Sequence, residues 1–118
     1  WEGTKEYCHP NATFSSQATI LDGIVTIESY ADWMKGMFIP VPDGSYEIRS
    51  FGVDEERNSI AAYGVFRGTH TGEGGPVSPT GNRVEADYVY VMEFDGDKIN
   101  HLIKIWHDGV SLAQLGWA

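Results

Sequence analysis

Basic residues are scarce: eight Lys and Arg stand against 17 Asp and Glu, a formal net charge of −9. Phosphate backbones are bound by clustered cations. These eight are scattered, so no nucleic acid is expected as a partner, and an anionic membrane is disfavoured for the same reason. Cysteine is nearly absent. Cys8 stands alone, which excludes an intrachain disulfide and a C-x-x-C zinc knuckle. It lacks any visible base and suits a reducing compartment, so a cytoplasmic location is expected. No apolar run approaches the roughly 18 residues needed to cross a bilayer. The opening residues also lack the basic–apolar–small order of a signal peptide. His9 beside Cys8 supplies two metal ligands at most. His101 and His107 share one strand alternation and lie roughly 20 Å apart along it. No metal and no cofactor is expected. Asn11-Ala12-Thr13 has the glycosylation pattern, a triplet that chance supplies often, and its use is not expected.

What is present suits one globular domain over residues 1–118, with 42% apolar residues. "WEGTKEYCHP" reads as the tail of a helix that stops before Pro10. "ATFSSQ" (12–17) is a short strand carrying Phe14. "TIESYADWMKGMF" (26–38) places Ile27, Tyr30, Met34, Met37 and Phe38 on one helix face. Thr26 or Ser29 can cap its start, and Pro40 and Pro42 end it. Strands follow at 45–53, 59–71, 83–94 and 98–107, with "DGD" as a tight hairpin turn between the last two. "VSLAQLG" closes the order as a short helix stopped by Gly116. The class is α+β, with helices segregated on one face of an antiparallel sheet.

Both alternations of the last two strands are apolar. Val84, Tyr88, Tyr90, Met92 and Phe94 share one side of the first; Leu102, Lys104 and Trp106 share one side of the second. A sheet with one wet face alternates more cleanly. One face is therefore expected against the helices, and the other partly covered by a second copy in a homodimer.

The stretch "GTHTGEGGPVSPTGNRVEADYVYVMEFDGDKI" (67–99 and neighbours) resembles the G-T-H-T-G … P-P-T-G-[KR]-x-V … F-x-D-G-K-I pattern of SnoaL-like polyketide cyclases. These belong to the nuclear transport factor 2-like superfamily, which also holds ketosteroid isomerase. The resemblance implies a cone: a strongly curved antiparallel sheet wrapped on helices around an internal pocket. It also implies that the first helix is truncated here. Members of the family typically need no cofactor. They remove a proton next to a carbonyl, which requires a base in an apolar pocket and a donor for the enolate oxygen. At the places where active members tend to carry His or Asp, this chain has Tyr90, Lys104 and Ser15 or Ser16.

Lys104 is the residue that needs an account, with Ile103 and Ile105 beside it. If parity holds, it points into the cone beside Tyr88, Tyr90 and Trp106. A buried ammonium is costly unless paired. It can pair with a carboxylate such as Asp22, Glu28 or Asp32. It can bind an anionic group of a ligand. Or its pKa can fall far enough for it to act as a base or a Schiff-base nucleophile, with Tyr90 as proton donor and Tyr88 assisting. Trp106, Trp33, Met37, Phe38 and Phe14 are the candidate ligand-lining residues, although at helical spacing residues such as Trp33, Met37 and Phe38 are more often plain core. His70 at the strand–loop junction is expected to face solvent. The loop "GEGGPVSPTGN" is read as hairpin geometry without chemistry. The expected ligand is an apolar small molecule bearing a carbonyl or carboxylate. Two functions remain open: a cyclase, isomerase or lyase, and a non-catalytic binding or interaction module.

Overall fold

Asp95 and Lys98 pair across a turn in which Gly96 adopts φ +64°, so the hairpin at "DGD" forms as its residues dictate. The computed structural model describes residues 6–118. Its elements are β1 (Cys8–Ser16), a 3-10 turn (Thr19–Leu21), α1 (Ile27–Met37), β2 (Ser45–Asp54), β3 (Ser59–Thr69), β4 (Arg83–Asp95), β5 (Lys98–Trp106) and α2 (Asp108–Leu115). The strands form one sheet in the order β1-β5-β4-β3-β2.

Two expectations are corrected. The sheet is mixed, because β1 runs parallel to β5. No hairpin joins these two strands; most of the chain lies between them, so no turn imposes an antiparallel pairing. The helix read over residues 1–10 ends earlier than expected: Glu6 and Tyr7 form a 3-10 turn, and strand begins at Cys8. Residues 1–5 lie outside the described residues, but Cys8, His9 and Pro10 are already strand. Pro10 is tolerated because β1 is an edge strand whose register shifts between Cys8 and Thr13.

The helices form as read. The Thr26 hydroxyl accepts from the Ser29 amide at 3.1 Å, capping α1. Gly116 ends α2 in the left-handed region at φ +78°. Helix α1 buries Ile27, Tyr30, Ala31 and Met34. Tyr30 and Leu21 are almost wholly enclosed, and each such side chain contributes about 1.5–3 kcal/mol of apolar burial.

Register places the site. One row across the inner face runs Phe51, Ala62, Tyr90, Lys104, Ser16. The next runs Ile48, Gly64, Tyr88, Trp106. A third runs Val53, Ile60, Met92, Leu102, Phe14. At the β5 end these rows lie buried, Phe14, Leu102 and Lys104 included. At the β2 end Ile48, Phe51 and Val53 are about 60% exposed. The inner face is thus a filled interior at one side and an open trough at the other.

Candidate functional site

Lys104 is 6% exposed and points inward. Its Nζ lies over three aromatic rings: 4.3 Å from the Trp106 centroid, 5.2 Å from Tyr30 and 5.7 Å from Tyr90. Those faces carry the negative lobe of each ring quadrupole, so they attract a cation without neutralising it. No carboxylate of the described residues comes within ion-pair distance; Asp32 instead meets Lys35 at 3.9 Å. The pairing with Asp22, Glu28 or Asp32 is therefore not made. Burial alone lowers the Lys104 pKa from 10.5 to about 7, so amine and ammonium coexist at neutral pH.

The rings are themselves held. The Trp106 indole N–H donates to Ser111 Oγ at 2.9 Å, which fixes the face shown to the amine. Trp33 packs edge-on against Trp106 at 6.2 Å. Phe14 stacks on Tyr30 at 4.3 Å, nearly parallel. Tyr30 and Tyr90 share a 2.5 Å hydrogen bond between phenolic oxygens. Burial drives both phenols far above their ordinary range, so both keep their protons.

Two cavities adjoin this cluster. A narrow, partly open void of about 20 Å³ is lined by Lys104, Trp106, Trp33, Met37, Tyr88 and Ser111, among others. It has room for about one water. An open trough of about 670 Å³ is lined by Phe38, Tyr46, Ile48, Phe51, Tyr88 and Tyr90, with Lys35 and Met92 at its edges. That volume falls in the usual range for small-molecule sites. Tyr88, like Tyr46, lines both cavities and is part of the wall between them. Its phenol leans over Gly64, where a Cβ would stand 2.5 Å from the Tyr88 oxygen and 2.4 Å from the Glu47 carbonyl oxygen.

The sequence-derived set is therefore brought together in part. Lys104, Trp106, Trp33 and Met37 line the void, Tyr90 and Phe38 line the trough, and Tyr88 lines both. Phe14 lines neither cavity and backs Tyr30 instead. The Lys104 amine meets the Tyr90 ring face. Tyr30, Tyr46 and Ser111 escaped the sequence reading. Tyr30 was one apolar position on a helix stripe, and only the register of β4 against α1 brings its hydroxyl to Tyr90.

His70 corrects another expectation. It is fully buried rather than solvent-facing. Its Nδ1 accepts from the Trp117 indole N–H at 2.9 Å and from the Thr80 amide at 3.3 Å, while Nε2 has no partner among the described residues. A loop-edge position is buried here because Trp117, just past α2, folds back over it. His101 lies on the outer face, between the hydroxyls of Thr13 at 2.6 Å and Ser15 at 3.0 Å. His107 caps α2, accepting from the Val110 amide, and Asp108 accepts from the Ile20 amide at 2.8 Å. Among the described residues no group of three or more His, Cys, Asp or Glu could hold a metal. No helix among them is long and apolar enough to cross a membrane.

Solved structures share this architecture. The provisionally assigned hydroxylase AclR from Streptomyces galilaeus is 25% identical, with a TM-score of 0.81 over 99% of this chain and 71% of its own. The provisionally assigned polyketide cyclase IdmH from Streptomyces antibioticus is 24% identical, with a TM-score of 0.80 over 98% and 86%. A provisionally assigned polyketide cyclase from Acidithiobacillus ferrooxidans is 19% identical, with a TM-score of 0.77 over 99% and 82%. Among curated proteins none matches the chain. The family model for SnoaL-like polyketide cyclases matches residues 1–115. With the match spanning nearly every residue and the curved sheet in place, this chain belongs to the SnoaL-like polyketide cyclase family.

Proposed function

We propose that the chain binds an apolar, carbonyl-bearing small molecule in the trough and catalyses proton transfer next to that carbonyl, as a cyclase, isomerase or lyase. The observation that carries this reading is the Lys104 amine: buried, without a carboxylate partner, and set among three aromatic rings. A base with a pKa of about 7 is matched to proton abstraction at neutral pH. The neutral amine removes the proton. The Tyr88 phenol, which borders both cavities as Tyr46 does, is the donor to a carbonyl that enters from the trough. The Tyr30–Tyr90 pair keeps its protons and holds the cluster rigid.

The test is α-hydrogen exchange. Apolar aryl ketones such as 2-tetralone in D2O, followed by NMR, should exchange faster with the protein than without it. Lys104→Met should remove the acceleration. Exchange that survives the substitution removes Lys104 from the chemistry.

One observation favours a second reading. The void beside Lys104 holds about one water, so a ligand confined to the trough meets aromatic walls and no base. A binding module would then bind the same ketones, and Lys104→Met would change affinity alone. In either case the outer sheet face is the surface for a second copy. An open groove lined by Tyr63, Val89, Ile103 and Ile105 crosses it, and Ile105 is 59% exposed. Ile105→Lys should dissociate such a dimer in sedimentation. A reducing compartment such as the cytoplasm suits the buried Cys8 thiol, whose pKa burial raises.

A further inference from the structure

We propose that Lys104 is a covalent nucleophile: its neutral amine condenses with an aldehyde or ketone carbonyl of the ligand to form a protonated imine. The proposal rests on the carbonyl-bearing ligand inferred above and goes beyond it, replacing a base that only moves a proton with a bond between chain and substrate.

Three observations converge. The first is what the amine lacks. A lysine kept for structure normally ends on a carboxylate or a carbonyl of the protein. Nζ of Lys104 has neither a hydrogen bond nor an ion pair within the described residues, only ring faces. Its lone pair is not committed elsewhere when the proton leaves. The second is the surroundings. Trp106, Tyr30 and Tyr90 stabilise a positive charge without supplying an anion that would hold the proton on nitrogen. The same rings favour the delocalised charge of an iminium, so the enclosure suits the product as well as the resting ammonium. The third is space. The void beside the amine has room for about one water, the size of the group that must be accommodated and then expelled. Tyr88 and Tyr46 line both that void and the trough, so a carbonyl arm reaches the amine by displacing these rings.

The step balances. The nitrogen lone pair adds to the carbonyl carbon as the C=O π pair moves to oxygen, which takes up a proton released by that nitrogen. The carbinolamine oxygen then takes a second proton from solvent and leaves as water while nitrogen becomes doubly bonded and cationic. Transfer of an α-proton to the expelled water moves the C–H pair into a new C=C bond and neutralises nitrogen, giving an enamine. No oxidation or reduction occurs. The enamine carbon can attack a second carbonyl of the same molecule, which would close a ring. Burial also leaves much of the amine unprotonated at neutral pH, as addition requires.

The experiment is reductive trapping on the whole chain at pH 7.5. The protein is treated with cyanoborohydride and, separately, 13C-formaldehyde or 2-tetralone, and the modified lysines are mapped by mass spectrometry. Lys104 should be alkylated by both probes more than about tenfold faster than Lys35 and Lys98, because burial leaves much of its amine unprotonated at that pH. Lys104→Arg keeps the cation and should abolish both trapping and ketone exchange. If Lys104 stays unmodified while Lys35 and Lys98 react, or takes up formaldehyde but never the ketone, the imine is overturned. The two readings fail separately. Exchange lost in Lys104→Met without any ketone trapping leaves the non-covalent base standing. No exchange and no trapping in the wild-type chain removes both.

Discussion

The phenolic oxygens of Tyr30, on α1, and Tyr90, on β4, lie 2.5 Å apart in the buried interior. This contact ties the helix to the sheet at the level of Lys104. Removing either hydroxyl should cost about 1–2 kcal/mol, as for a buried hydrogen bond. In a double-mutant cycle of Tyr30→Phe and Tyr90→Phe, the losses should be less than additive. Chemical denaturation measures it; additive losses would mean that the two hydroxyls do not interact.

Lys104 gives stability an unusual pH dependence. The unfolded chain keeps this ammonium up to a pKa near 10.5, whereas the folded chain releases it near 7. Between those values the unfolded state binds more protons, so stability rises with pH. Below 7 both states are charged and the burial penalty is complete. The titratable groups facing the amine are the Tyr30 and Tyr90 phenols, whose raised pKa values work in the opposite direction above pH 10. Stability should therefore climb from pH 7 towards 10 and then fall. Lys104→Met should flatten the climb and add about 1–4 kcal/mol at pH 7. Urea midpoints across that range read both effects.

Gly64 is the position where the sheet makes room for Tyr88. A methyl group there would meet the Glu47 carbonyl, which is backbone and cannot step aside. Gly64→Ala should destabilise by about 1–3 kcal/mol through overpacking and force Tyr88 to shift. Thermal melting measures the first effect. Altered affinity for a trough-bound ketone measures the second.

His70→Phe keeps the ring but removes the acceptor for the Trp117 indole N–H. The part-buried donor left without its acceptor should then cost about 1 kcal/mol, seen as a lower denaturation midpoint. The indole N–H resonance of Trp117 should move in the NMR spectrum. An unchanged resonance would contradict this clasp.

Much of this arrangement is legible in the residues. The period-two pattern through Tyr88 and Tyr90, and through Leu102, Lys104 and Trp106, sets which side chains of each strand share a face. The turn at Gly96 pairs Asp95 with Lys98, but an irregularity between Glu93 and Phe94 shifts the register by one and brings Tyr90 opposite Lys104, which the turn residues alone do not encode. Nor do they encode what surrounds the Lys104 amine. Tyr30 reaches Tyr90 only after α1 docks, and the choice between a carboxylate and aromatic rings depends on rotamers that spacing does not encode. Pro10 misled in the other direction: it reads as a helix stop, but an edge strand with a shifted register accommodates it. His70 was misread because the residue that buries it, Trp117, lies 47 positions along the chain.

The parallel pairing of Ser16 with Lys104 dictates an order of events at the ribosome. The first strand of the sheet has its main-chain partner in the sheet's last strand along the chain. Until residues 99–104 emerge, β1 and the aromatic side of Phe14 must wait without their neighbour. Closing so long a loop makes the fold slow to complete and leaves an adhesive edge on the nascent chain. The reactive amine arrives in that same closing segment, so no partly made chain carries a finished site.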